Sequence, residues 1–498
     1  MTKSPSNPAA SRIGVVDIGS NSIRLVIFDS LSRAPSVVFN EKILARLGRG
    51  LALGGRLDPA GVEKALEALQ RFSAIAKVLN VSRLIAVATA AVREAADGRD
   101  FVDKVEKLCG MKIDILKGEE EARLSALGVV SGIPNAEGVA GDLGGSSLEL
   151  IHITKQSAQH HITLPLGPFR LDELASSEAT INDVIHSELR PLSWLEPALN
   201  NRSFYAVGGA WRAVAKVHMA HVNHPLRVVH QYTVAWQEIE PFLGLLARMS
   251  PSSLAKLEGI SHRRIDTLAQ AAVVLREIGH YAKPAQIVFS AFGLREGCLY
   301  DSLMDTERGR DPLIEGCIAY GERSTRFPGH FRLRDAWLSG ILIGSPVSVR
   351  RLASAAVALS DLAWGDHADY RAEEALQRIL ALPVVAIDHP GRAFLAVTLY
   401  TRYGGDDLSN RLEGLLRLLN DEMRRWAMMI GYALRLAYSF AAGAVAPLTR
   451  ARLDICDQDL VMIVVAEDRL LVGEMTRRRL EKLASFLQLH PVIRIKEQ

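Results

Sequence analysis

Asp142-Leu143-Gly144-Gly145-Ser146-Ser147-Leu148-Glu149-Leu150 reads as a β-strand that enters a Gly/Ser turn and leaves as a second strand. An earlier stretch repeats it: Asp17-Ile18-Gly19-Ser20-Asn21-Ser22-Ile23-Arg24-Leu25. Position by position, both give Asp, aliphatic, Gly, small, small polar, Ser, aliphatic, charged, Leu. Their offset of 125 residues is about the length of one subdomain. One such run would pass for an ordinary tight hairpin. Two at this spacing point to an internal duplication in which each half supplies one loop to a shared cleft. Gly and Ser let backbone N–H groups crowd round a phosphate that a bulky Cβ would keep away. A carboxylate cannot itself bind phosphate, so an Asp beside such a loop implies a divalent cation between the two.

The chain has 498 residues, 48% hydrophobic and 23% charged, which predicts a multi-domain globular protein with two or more cores. Lys and Arg total 59 against 56 Asp and Glu, a formal net charge of +3. That balance neither demands nor excludes a polyanionic partner, so one must be sought in local patches. Cys109, Cys298, Cys317 and Cys456 lie far apart without CxxC spacing, which suits a reducing compartment and argues against a disulfide frame or zinc site. Residues 1–11 read as a disordered leader without the apolar core of a signal peptide. No apolar run reaches the roughly 18 residues of a membrane span, so a cytoplasmic location is expected.

Asp58-Pro59 opens a helix carrying Val62, Leu66, Leu69 and Phe72. The strand Leu84–Ala88 runs into Thr89-Ala90-Ala91-Val92-Arg93-Glu94-Ala95. Arg93, just past a strand end, either forks two phosphate oxygens or pairs with Glu94 at the surface. Lys117-Gly118-Glu119-Glu120-Glu121-Ala122-Arg123 opens another helix. Its acids complement the helix dipole, or they supply an ionised carboxylate that orients water beside the second turn. Gly208-Gly209 sits at a further strand-to-helix junction, read as close packing that lines the cleft. From about Arg308 the sequence turns helical, with helices expected at 371–382 and 412–436. Short strands at 453–456, 460–465 and 492–495 surround a helix at 476–487. Arg323, Arg326, Arg332, Arg334, Arg350 and Arg351 form either a solvated face or a track for a polyanion.

The two turns resemble those of the actin-like ATPase superfamily, and the details resemble the exopolyphosphatase / guanosine pentaphosphate phosphohydrolase family. The resemblance rests on Asp17–Ser22, Thr89–Ala95, Gly118–Leu124, Asp142–Glu149, the R-x-D run at Arg264–Asp266, and Gly293–Gly297. It implies an α/β fold of duplicated actin-like (ribonuclease H-like) subdomains with the active-site cleft between them. Subdomains would span 12–133 and 134–307, and a mostly helical HD-like domain with a small α+β tail would span 308–498. Ser360-Asp361 stands where that fold would carry its His-Asp dyad, so no catalysis is expected there.

Carried over motif by motif, Glu120 would be the catalytic carboxylate, and Arg93 with Gly19, Ser20, Asn21, Ser22, Gly144, Gly145, Ser146 and Ser147 would hold phosphates. Asp142 and Glu149 would bind Mg2+, with a monovalent cation such as K+ as a further candidate. Asp17, Glu121, Gly208 and Gly209 would support the site. Ser146 and Leu148 replace a Gly and a Thr of the family pattern, which stiffens the loop and removes a hydroxyl. The implied substrate is inorganic polyphosphate, with guanosine pentaphosphate as the alternative. A homodimer is implied, and no nucleic-acid or membrane partner. An actin-type ATP-binding module is the second alternative, with a base pocket near Gly208–Arg212 that Trp211 would either wall or block.

Overall fold

The computed structural model describes residues 11–154, 158–174, 178–257, 265–405 and 412–497. The expected leader up to residue 10, Arg264 and the side chain of Asp266 lie outside the described residues. The chain divides into two compact units at Arg310/Asp311.

The first unit holds two sheets of one plan. In the first, β1 (Arg12–Ile18) pairs antiparallel with β2 (Ile23–Phe28), the turn being closed by the Gly19 N–H donating to the Ser22 carbonyl at 3.1 Å. β3 (Val37–Ile43) extends β2, while β4 (Val81–Ala88) and β5 (Asp114–Ile115) run parallel on the far side, giving the order β3-β2-β1-β4-β5. In the second, β6 (Gly138–Leu143) and β7 (Leu148–Ile153) form the equivalent hairpin, closed by Gly144 N–H to the Ser147 carbonyl at 2.9 Å. With β8 (Ala158–Leu164), β9 (Ser203–Val207), β10 (Tyr232–Ala235) and β11 (Gln286–Phe289), the order is β10-β11-β9-β6-β7-β8. Without the antiparallel edge strand β10, this repeats the first sheet strand for strand. Val15, Val16 and Ile18 in β1 are buried, as the near-continuous apolar runs of a sheet covered on both faces require.

Helix α1 (Pro59–Val78) begins as its capping signal dictates: the Asp58 carboxylate accepts from Gly61 N–H, and Pro59 occupies the first turn. Helix α2 (Gly118–Gly132) packs against both sheets and α5 (Leu294–Asp301) against the first; α3 (Gly209–His221) and α4 (Ile265–Ala282) belong to the second sheet's other face. Ala122, Ala126 and Val129 of α2 meet Ala140, Ile151 and Tyr205. Its Leu124 joins Leu294 and Leu299 against Ile13, Val15 and Val26. The two helices touch backbone to backbone. A Cβ on Gly128 would sit 2.0 Å from the Gly293 carbonyl, and one on Gly297 1.8 Å from that of Leu124. Only glycine permits this crossing, which fixes α2 against both halves.

The second unit is helical, with α6 (Val347–Ala358), α7 (Arg371–Ala381), α8 (His389–Arg402), α9 (Asp421–Ala441) and α10 (Glu474–Leu487). Three strands, β12 (Arg452–Cys456), β13 (Asp459–Val465) and β14 (His490–Lys496), form a small sheet in that order. The helix expected over 412–436 is interrupted. A short turn at Glu413–Leu416 ends before Asn420, whose side chain accepts from Met423 N–H and starts α9 anew. The six arginines do not line one solvated track either. Arg334 is buried, Arg326 and Arg334 turn onto Asp361, and Arg351 pairs with Asp311. No helix among the described residues is long and apolar enough to cross a membrane.

Candidate active site

The two Gly/Ser turns face each other across a cavity of about 170 Å³ in the first unit. Ser20 Oγ and Ser146 Oγ share a hydrogen bond of 2.8 Å, so the duplicated loops are tied directly to each other. The hairpin register sets what each half presents. Asp142 lies directly opposite Glu149 on one face of its sheet, and Asp17 lies directly opposite Arg24 on its own. At equivalent positions of the repeat, one half therefore supplies an acid and the other a base.

Four carboxylates gather on the cavity wall: Asp17, Glu121, Asp142 and Glu149. Asp142 Oδ2 accepts from Ser125 Oγ at 2.8 Å, and Glu149 Oε1 accepts from Ser147 Oγ at 2.7 Å. Arg93 Nη1 donates to Glu121 Oε2 at 2.7 Å and to the Leu116 carbonyl at 2.9 Å. Burial raises the pKa of Asp17, Asp142 and Glu149, and repulsion adds to it, from Glu296 at Asp17, from Asp17 at Asp142, and from Glu121 and Asp142 at Glu149. Burial also pushes Glu121 up to about 7, with Arg93 opposing and Asp142 and Asp17 adding to the rise. Arg24, Lys42, Arg212 and Arg295 line the same cavity. Burial and the neighbouring Arg295 and Arg212 lower Arg24 to about 10, which still leaves it charged at neutral pH. Arg295 Nη1 stands 3.6 Å from Asp17 Oδ2, and Arg212 Nη1 donates to the Ala291 carbonyl at 3.1 Å. The cavity wall thus carries four acids and four cations beside two backbone-rich loops, with Asp17 next to both Arg24 and Arg295.

Gly19, Ser20, Asn21, Ser22, Gly144, Gly145, Ser147, Gly208 and Gly209 all line it, as do Asp17, Asp142 and Glu149. Gly208 has φ +110°, and a Cβ there would lie 2.5 Å from the Leu143 carbonyl, so the chain can turn into α3 beside the second loop only with glycine. Two expectations need correction. Glu120 does not reach the cavity: it pairs with Arg123 at 2.8 Å, and that arginine also binds Asp301 at 2.9 Å. The reason is helical phase. Adjacent residues point about 100° apart, so Glu121, one turn before Ser125, faces Asp142 while Glu120 faces away. Arg93 does not line the cavity but grips Glu121 from behind, and its partner is not Glu94. Trp211, for its part, is fully buried, edge-on to Phe204, with its indole N–H on the Ala271 carbonyl, so no base can stack on it.

Arg24, Lys42, Arg212, Arg295 and Ser125 were not picked out as site residues by sequence. Two signals were present: Arg24 aligns with Glu149 in the repeat, and Ser125 follows Glu121 by four residues in a helix.

Residues 26–306, more than half of the chain, match the model of the Ppx/GppA phosphatase family. The chain belongs to that family. As a Ppx/GppA member it also carries, at residues 342–489, the region described as "Exopolyphosphatase, C-terminal". Exopolyphosphatase 1 of Mycobacterium tuberculosis is 27% identical over 316 residues, covering 61% of this chain and 91% of the relative. Retrograde regulation protein 2 of Saccharomyces cerevisiae is 26% identical over 437 residues, covering 79% and 73%. Among solved structures, an exopolyphosphatase from Cytophaga hutchinsonii superposes with a TM-score of 0.53 at 24% identity, over 58% of this chain and 96% of that one. An Aquifex aeolicus Ppx/GppA phosphatase gives 0.50 at 21%, over 59% and 99%. These structures share the duplicated α/β fold of the first unit.

Proposed function

We propose that this Ppx/GppA family member is an exopolyphosphatase, which hydrolyses the terminal phosphoanhydride of inorganic polyphosphate and releases orthophosphate. The observation that carries this reading is the make-up of the cavity wall. Tied Gly/Ser loops and four cations suit a run of phosphates, and beside them stands a buried carboxylate whose pKa lies near 7. Names borne by relatives, such as Exopolyphosphatase 1, support the same substrate class.

In this reading Glu121 is the catalytic carboxylate. Arg93 orients it and keeps it partly ionised near neutral pH, and Glu121 aligns the attacking water and accepts its proton. The water oxygen forms a bond to the terminal phosphorus as the bridging P–O bond breaks, and the electron pair leaves on the shortened chain. Loop N–H groups of Gly19–Ser22 and Gly144–Ser147 hold the terminal phosphoryl oxygens, and Arg24, Lys42, Arg212 and Arg295 hold the following phosphates. Asp142 and Glu149 fit a hard divalent cation, since both offer carboxylate oxygens on one sheet face. No group of three or more His, Cys, Asp or Glu among the described residues could hold a metal on its own. That donor set matches Mg2+, which commonly takes one or two carboxylates and completes its shell with water and substrate phosphate. When bound, Mg2+ supplies charge neutralisation for the phosphoryl oxygens.

The test is phosphate release from long-chain polyphosphate and from guanosine pentaphosphate side by side, with and without Mg2+. Mg2+-dependent release from the polymer is expected. Preference for the nucleotide would move the substrate and leave the residue roles standing, and release from neither would overturn the reading.

A further inference from the structure

In the second unit, three arginines surround Asp361, itself 5% exposed. Its Oδ1 accepts from Arg326 Nη2 at 3.2 Å and has Arg402 Nη2 at 3.9 Å. Its Oδ2 accepts from Thr325 Oγ1 at 3.1 Å and has Arg334 Nη1 at 3.8 Å. Three guanidinium groups thus share one carboxylate, which leaves two positive charges without a counter-ion among the described residues, although Arg334 and Arg402 are only 7% and 5% exposed. Arg326 and Arg402 lie over the Tyr438 ring at 5.0 and 4.5 Å. Such contacts ease the burial of a cation but do not neutralise it. Burial lowers the pKa of Arg402, the direction expected of an under-compensated charge. Two nitrogens of the cluster, Nε of Arg326 and Nε of Arg334, are buried without a hydrogen-bond partner among the described residues. A cavity of about 30 Å³ opens there, lined among others by Arg334, Trp337, Ser360, Asp361, Arg402 and Tyr438.

We propose that this pocket binds one small oxyanion of the phosphate class. Its volume is about twice what a single water needs, too small for a base or a sugar. Guanidinium forks match the oxygens of a tetrahedral anion, and burying excess positive charge is favourable once that anion arrives. The anion is either free orthophosphate or the terminal phosphate of a longer chain. Asp361 occupies part of the positive field and so holds the affinity down.

Calorimetric titration of the full chain with orthophosphate, and separately with tripolyphosphate, tests this in the wild type and in Asp361→Asn, Arg402→Met and Arg326→Gln. Because the first unit can also take phosphate, tungstate soaked into crystals would locate each anion by anomalous scattering. Expected are density in this pocket, roughly tenfold tighter binding in Asp361→Asn and at least tenfold weaker binding in Arg402→Met, the scale of one charge interaction. Arg326, which bonds Asp361 with 20% of its side chain exposed, gives the same loss if Arg402→Met fails to fold. A purely structural ion cluster would lose thermal stability in Asp361→Asn without any gain in affinity, and that result would overturn the proposal. So would tungstate confined to the first unit. Tripolyphosphate competing at this pocket would identify a chain end, and orthophosphate alone would identify the free product.

Discussion

Glu121→Gln keeps the shape of the side chain and an oxygen for the Arg93 N–H, and removes the charge and the proton acceptor. A general base commonly contributes about 10²–10⁴ in rate, or roughly 3–5 kcal/mol of barrier, and kcat should fall by that factor. Binding should persist, because the loops and the four cations are untouched. The fold should persist too: burial disfavours the ionised carboxylate, so the amide is no harder to hold at neutral pH. The neighbouring Glu120→Gln supplies the contrast. Glu120 and Arg123 both have about two-fifths of the side chain exposed (42% and 41%), and Arg123 retains Asp301 when Glu120 is neutralised. Loss of such a pair is worth about 1 kcal/mol or less, and kcat should stay within a few-fold of wild type. The assay is steady-state phosphate release from long-chain polyphosphate at saturating Mg2+, with polyphosphate affinity measured separately. Near-normal kcat in Glu121→Gln would refute the reasoning, as would a hundredfold loss in a well-folded Glu120→Gln.

Arg93→Met removes the cation that holds Glu121's pKa down, so the acid limb of the kcat profile should move to higher pH; an unmoved limb would argue against the positioning role. The metal-free protein should lose stability as pH rises. Glu121 has its pKa raised from 4.5 to about 7, so the folded state keeps a proton that the unfolded chain has already released. The contribution of this group is therefore fully present below pH 4.5 and is lost by about pH 7, about 3 kcal/mol in all. Mg2+ should then raise Tm more at pH 8 than at pH 5.5, and an equal rise at both would contradict the crowding of buried acids. Gly208→Ala, at φ +110° and 2.5 Å from the Leu143 carbonyl, should cost about 1–3 kcal/mol, read as a lower Tm by calorimetry. Ser146→Ala breaks the tie to Ser20 and should raise KM for polyphosphate more than it lowers kcat; unchanged kinetics would mean the loops hold their spacing without that bond.

By itself the sequence determined the duplication, because a nine-residue pattern repeated at subdomain spacing is a local property that needs no partner to be read. Capping likewise marked α1 from Asp58-Pro59, and periodicity marked a helix over 371–382, observed as α7 (Arg371–Ala381), where the signals are contained in the segment itself. The loops and acids of the cavity were legible for the same reason. Tertiary structure alone decided which of two adjacent glutamates faces the cavity. Both stand at one helix start, and the choice depends on how α2 rotates when Gly128 and Gly297 let α5 press against it. Tertiary structure also turned Arg93 onto Glu121 and gathered Arg24, Lys42, Arg212 and Arg295 from scattered positions into one field. Charge convergence of this kind is set by the closing of two sheets on the shared helix α2. No window of sequence contains it.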